Sequence, residues 1–238
     1  MNTSENNNLC IIPARGGSKR IPRKNIKIFL GKPIIAYSIE AALKSGLFKE
    51  VMVSTDDEEI ADVAVQYGAT VPFLRSEETS NDFATTLVVL EEVIHHYKKQ
   101  ERFFSNLCCI YPCAPFVTKE KVHEAYQLLM GENYDSVFPV MPFSFPIQRA
   151  LRKDMAAKVS YFYPEFKDAR SQDLEKSYHD AGQFYWMNLK KIDLTKSLLT
   201  NNTGIIEITE LEGQDIDNET DWKLAELKYS LLRNEISY

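Results

Sequence analysis

A chain of 238 residues has room for one large α/β domain with a sizeable core. With 44% hydrophobic residues, 26% charged residues and a net charge of -6, it is neither disordered nor collagen-like. Its apolar stretches, such as Leu87 to Leu90, fall far short of the roughly 20 residues of a membrane helix. The polar start MNTSENNN lacks Lys and Arg, so no secretory signal is drawn and a cytoplasmic location is expected.

Leu9 to Pro13 (LCIIP) reads as a buried strand that empties into the Gly-rich loop ARGGSKR, at the strand end where open α/β sheets hold ligands. Pro33 followed by IIAYSIEAALKSG predicts a helix with Pro near its first turn and Gly46 as its stop. Val51 to Ser54 is a second strand, and Thr55 is read as the cap of the acid-first helix DDEEIADVAVQYG, ended by Gly68. Thr70 to Leu74 is expected as a third strand. After the polar loop Arg75 to Asp82 come a helix from about Ala84 to Tyr97, a strand Leu107 to Tyr111, a helix Lys119 to Leu129 and a strand Ser136 to Val140.

Residues 141–177 break this alternation. They predict an excursion with two antiparallel strands, Ile147 to Leu151 and Ala157 to Tyr163. Strands Gly182 to Met187 and Gly204 to Ile208 follow, and QDIDNETDWKLAELKYSLL predicts a final amphipathic helix capped near Asn218. The pattern implies the α/β class: one domain over residues 1–238, a mostly parallel sheet with helices on both faces, and the antiparallel insertion at 141–177.

Charge gives the first functional clue. From Asn6 to Ile39 there is no Asp or Glu, while Arg15, Lys19, Arg20, Arg23, Lys24, Lys27 and Lys32 supply seven cations. With those set aside, 21 cations face 34 acids, a net -13, which suits capture of a small polyanion and argues against nucleic-acid binding. The loop ARGGSKRIPRKN is neither G-x-x-x-x-G-K-[ST] nor G-x-G-x-x-G. Its Gly16-Gly17 backbone, flanked by Arg15, Lys19 and Lys24, is expected to present N–H groups to a triphosphate. Asp215 and Asp217 lie two apart, so in an extended segment both carboxylates face one way and suit Mg²⁺. The plainer reading of Asp217 is that, with Asn218, it caps the last helix. The four cysteines have no C-x-x-C spacing and read as core hydrophobes.

IIPARGGSKRIPRKN, the STD of Ser54 to Asp56, LRSEETSNDFATT and QDIDNETDW resemble the cytidylyltransferases that make CMP-activated sialic acids, from about Leu9 to Leu232. DSVFPVMPFSFPIQRAL, RSQDLEKSYHDAGQFYW and ITELEGQDID are similar to the pseudaminate-using branch of that family. The resemblance implies a Rossmann-like nucleotidyltransferase domain. Its reaction joins CTP to a nine-carbon 2-keto sugar acid, giving a CMP-sugar for glycan or flagellin modification and releasing pyrophosphate. Carried over by position, Arg15, Ser18, Lys19 and Lys24 hold the triphosphate and Asn25, Arg75, Ala84 and Thr86 surround the cytidine, with Ala14, Gly16, Gly17, Asp82 and Thr85 completing the CTP site. Asp215 and Asp217 match the metal-binding aspartates, with Mg²⁺ as cofactor. Tyr111, Arg170, Gln172, His179, Asp180 and Gln183 fall at the sugar, where Arg170 is expected to grip its carboxylate. Arg15, Lys24 and Asp217 form the expected catalytic set, Asp217 as base through a metal-bound water.

Tyr111 stands where sialate enzymes commonly have Gln, and His179-Asp180 where they have Arg-Pro, which points to a deoxygenated, diacylamino sugar. N-acetylneuraminate, legionaminate and 3-deoxy-octulosonate are the alternative substrates. A silent nucleotide-sensing module is the alternative from another class. The aromatic excursion, with Phe143, Phe145, Tyr161, Phe162 and Tyr163, predicts a homodimer. Neither a nucleic acid nor a membrane is expected as a partner.

Overall fold

The computed structural model describes residues 7–235. Strand β1 (Asn8–Pro13) is followed by the two-residue strands β2 (Ile28–Phe29) and β3 (Lys32–Pro33), helix α1 (Ile34–Ser45), β4 (Glu50–Ser54), α2 (Glu58–Gln66), the short α3 (Glu77–Ser80) and α4 (Thr86–Lys99). Then come β5 (Asn106–Ile110), α5 (Lys119–Gly131), β6 (Ser136–Pro142), the hairpin β7 (Leu151–Lys153) and β8 (Val159–Tyr161), β9 (Tyr178–Asp180), β10 (Phe184–Asn188), β11 (Thr203–Glu207) and α6 (Glu219–Glu235).

The main sheet has the order β11-β6-β10-β5-β1-β4, with β9 also on β6. The β11–β6, β5–β1 and β1–β4 pairs are parallel, while β10 runs antiparallel to both of its neighbours. This is a Rossmann-like α/β sheet, mostly parallel, with helices on both faces. Residue alternation assigns the faces. Cys10, Ile12, Cys108, Ile110, Phe184 and Trp186 pack with α1, α2 and α5, whereas Leu9, Ile11, Leu107, Cys109, Tyr185 and Met187 pack with α4. Burial on both faces is why strands such as LCIIP are apolar throughout. All four cysteines are free thiols, and Cys10 is the register partner of Cys108.

A third cluster fastens α6. Phe29 meets Tyr37, Trp222 and Tyr229 edge-on, with ring centroids 5.4, 5.5 and 5.7 Å away. Ile216 is buried in the same cluster, which fixes the segment before α6 beside the ends of the parallel strands.

Some elements differ from the sequence expectation. Thr70 to Leu74 contributes one bridge, Thr70 to Met52, rather than a strand. Pro72 has no N–H for a ladder, and the chain leaves the edge so that the Arg75 amide reaches the Thr55 carbonyl at 2.8 Å. Asp57, not Thr55, caps α2, accepting from the Ile60 amide at 3.0 Å. The insertion does carry an antiparallel hairpin, but Ile147–Arg149 is a 3₁₀ turn and its strands are shorter than expected. Strand β9 was not expected. With β10 it forms one line along β6, interrupted at Gly182, whose φ of +62° is the left-handed conformation glycine tolerates. Among the described residues no helix is long and apolar enough to cross a membrane.

Candidate active site

The loop after β1 is shaped by acids from the end of β4. The Gly16 amide donates to Asp56 Oδ1 at 2.9 Å, so it is committed within the protein and does not face a phosphate as the sequence suggested. A Cβ on Gly16 would lie 2.6 Å from Asp57 Oδ2, whereas one on Gly17 would meet nothing within 4 Å. Asp57 is held in turn by Arg23, whose Nη2 donates to Oδ1 at 2.9 Å and whose Nη1 reaches Oδ2. The Arg23 hydrogen bonds hold the Asp57 carboxyl below its ordinary range. Arg23 itself has a φ of +55°, a left-handed conformation costing about 1 kcal/mol that these ion pairs offset.

A cavity of about 400 Å³ opens at this loop, lined by Arg15, Ser18, Lys19, Arg20, Lys24 and Asn25, with Asp82 and Asp217 also on its wall. Arg15 Nη1 donates to Asp82 Oδ1 at 2.7 Å and Lys19 takes the other oxygen, so Asp82 lies on the cationic wall and is held below its ordinary pKa. Arg20 pairs with Asp217 Oδ1 at 2.8 Å. Lys24 Nζ donates to the Ile216 carbonyl at 2.6 Å, so it anchors the segment between the two aspartates as well as lining the cavity. Asn25 is buried, donating to the Arg15 carbonyl at 2.9 Å and accepting from the Cys113 thiol at 3.2 Å.

The other residues expected at the CTP site have partners within the protein. Ala14 is buried, and its amide donates to the Ser54 carbonyl. Arg75 does not line the cavity; it is buried against Ser54, donating from Nε to Oγ at 3.1 Å, and burial lowers its pKa. Thr85 caps α4 through the Val88 amide, the Ala84 amide donates to Asn81, and Thr86 Oγ1 lies 3.1 Å from the Tyr111 hydroxyl.

A second cavity of about 380 Å³ is lined by Met141, His179, Asp180, Glu210, Gln214, Asp215 and Lys228, among others. The Asp180 carboxylate is fixed at both oxygens, by the Gly182 amide at 2.8 Å and the Tyr185 hydroxyl at 2.7 Å. The Tyr185 ring lies 5.4 Å from that of Tyr111, and burial raises both phenols. Gln183 is buried and donates to the Glu212 carbonyl at 2.6 Å, outside the cavity lining. Arg170 and Gln172 are exposed on the excursion and do not line this cavity, so the convergence expected of them with His179 and Asp180 is not made within one chain.

Ile216 is buried, so Asp215 and Asp217 on either side of it point out of the core, Asp215 onto the second cavity and Asp217 onto the first. The capping of α6 falls to Asn218, which accepts from the Thr220 and Asp221 amides at 2.8 and 3.1 Å, leaving the Asp217 carboxylate for Arg20.

Residues 9–197 match the family model for cytidylyltransferases. The chain belongs to the cytidylyltransferase family. It is 42% identical to the pseudaminic acid cytidylyltransferase of Campylobacter jejuni over 94% of this chain and 97% of that protein. It is 34% identical to the CMP-N,N'-diacetyllegionaminic acid synthase of Legionella pneumophila over 92% and 94% of the two chains. A solved CMP:2-keto-3-deoxy-manno-octonic acid synthetase complexed with CTP shares the fold, with a TM-score of 0.68 at 18% identity over 95% of this chain and 99% of that one.

In this cytidylyltransferase Asp215 and Asp217 are hard oxygen donors of the type a divalent cation takes, but they open onto different cavities and do not face one way as expected. Burial and the neighbouring Asp217 raise the Asp215 pKa, and Lys24 offsets this only in part. Among the described residues no group of three or more His, Cys, Asp or Glu is arranged to hold a metal, so phosphate and water oxygens would complete the coordination. Sequence reasoning missed Asp56, Asp57 and Arg20 as parts of the site. The signal was present in the acid run that follows β4 and in the cation excess of the loop, but it reads equally well as helix-dipole complement and solvated charge.

Proposed function

We propose that this cytidylyltransferase transfers the cytidylyl group of CTP to the anomeric hydroxyl of pseudaminic acid, giving CMP-pseudaminic acid and pyrophosphate. One observation carries the reading: Asp217 lines a cationic cavity and Asp215, two residues before it, lines a second cavity with room for a sugar. The C2 hydroxyl oxygen bonds to the α-phosphorus, the bond from that phosphorus to its bridging oxygen breaks, and pyrophosphate leaves. Arg15, Lys19, Arg20 and Lys24 neutralise the triphosphate, and placement of the two reactants supplies most of the rate. Mg²⁺ held by Asp215 and Asp217 supplies further charge neutralisation when bound. Asp217 is paired with Arg20, whereas Asp215 faces the sugar cavity, so the proton of the hydroxyl is assigned to Asp215 in place of the expected Asp217.

Pseudaminate is favoured by the Campylobacter relative and by His179-Asp180 on the cavity wall. A homodimer through the excursion and a cytoplasmic site of action belong to the same reading. The test is a panel of acidic sugars with CTP or UTP and Mg²⁺, followed by pyrophosphate release. Pseudaminate with CTP is expected to give the highest kcat/KM, and excess chelator is expected to stop the reaction. A higher value for N-acetylneuraminate or legionaminate would move the substrate within the family, and equal rates with UTP would refute cytidylyl selectivity.

A further inference from the structure

The second cavity has an electrostatic problem if it receives a sugar acid. Asp180, Glu210 and Asp215 all stand on its wall, and the substrate brings a carboxylate of its own. Arg170, the expected partner of that carboxylate, is exposed on the excursion and absent from the lining. The lysine that lines the cavity is Lys228, which projects from α6. Its side chain is half-buried, and Nζ donates to the Gly213 carbonyl at 2.9 Å, two residues before Asp215. An ammonium has three donors, and a backbone carbonyl supplies no charge to balance it. Lys228 forms no ion pair among the described residues, and burial lowers its pKa despite the pull of Glu210.

We infer that Lys228 receives the carboxylate of the sugar acid and thereby turns the adjacent C2 toward the cationic cavity. The inference rests on the proposed reaction. The carboxylate is bonded directly to C2, so a charged contact at Lys228 orients the carbon that bears the reacting hydroxyl. It also supplies the ion-pair partner that the half-buried ammonium lacks among the described residues.

The experiment compares the sugar acid with its C1 carboxamide in the wild type, Lys228→Met and Lys228→Arg, with CTP binding to each measured by calorimetry. The wild type is expected to prefer the acid. In Lys228→Met the KM for the acid should rise about ten- to a hundredfold, the loss of one charged hydrogen bond. Its preference over the carboxamide should vanish, while CTP binds as before. Lys228→Arg should keep the preference. Intact CTP binding certifies the fold, and Lys228→Gln repeats the comparison should Lys228→Met fail to fold. An undiminished preference for the acid in a folded variant without the charge would overturn the role of Lys228 alone. A wild type that turns over no nine-carbon acid with CTP would overturn the proposed reaction, and this assignment with it.

Discussion

Asp57 serves two elements at once, capping α2 through the Ile60 amide and bracing the phosphate-side loop through Arg23. Asp57→Asn keeps a capping oxygen and removes the charge. It is expected to cost about 1–2 kcal/mol at neutral pH, the lower part of the range for charged hydrogen bonds because the pair is partly exposed. The Asp57 pKa is depressed in the folded protein, so its contribution is present above the ordinary carboxylate range and lost as pH falls through the folded value. Urea unfolding should therefore separate variant from wild type at pH 7 and bring them together in acid; a gap that persists in acid would show that the charge is not responsible. At this scale the sequence singles out the residues whose charge or spacing stands out: Arg15 and Lys19 on the loop, and Asp215 and Asp217 two apart. It did not show contacts that reach a distant partner. Lys24 binds a carbonyl 192 positions away, and Lys228 on a helix looks like any solvated lysine.

At the level of elements, the two adjacent glycines of the loop have different reasons for being there. Gly16 is pressed against Asp57, while Gly17 has open space and no left-handed φ. Gly16→Ala must shift the loop or the Asp57 side chain held by Arg23, and is expected to lower turnover on the order of a hundredfold, the effect of displacing a positioned group by about 1 Å. Gly17→Ala should stay within about 0.5 kcal/mol of wild-type stability and retain activity. Turnover with CTP and thermal melting of both variants decide the matter; equal behaviour would contradict the packing against Asp57. Strands β1, β4, β5 and β6 were readable because apolar runs and helical periods alternate around them. The short β9 was not, since its three residues gain strand character only from the end of β6. Nor does a run such as FYWMN disclose direction, so the antiparallel course of β10 came from the fold alone.

For the whole molecule, the excursion at 141–177 leaves Phe145, Leu151, Met155, Val159 and Phe162 exposed, an apolar surface that a second copy of the chain is proposed to cover. Phe145→Asp with Phe162→Asp is expected to convert a sedimenting species of two chains into one, without changing the secondary structure; an unchanged mass would place the interface elsewhere. The sheet itself has a consequence for synthesis. Strands β5 and β6 are not neighbours: β10 lies between them and is the link from the β5-β1-β4 group to β6 and β11. A chain emerging from the ribosome thus completes β6 by residue 142 but must extend to Phe184–Asn188 before the two groups can be joined. Through that stretch of translation the facing edges of β5 and β6 are open to intermolecular pairing, and such unpaired edges are where a slowly closing, non-local sheet is most prone to misassemble.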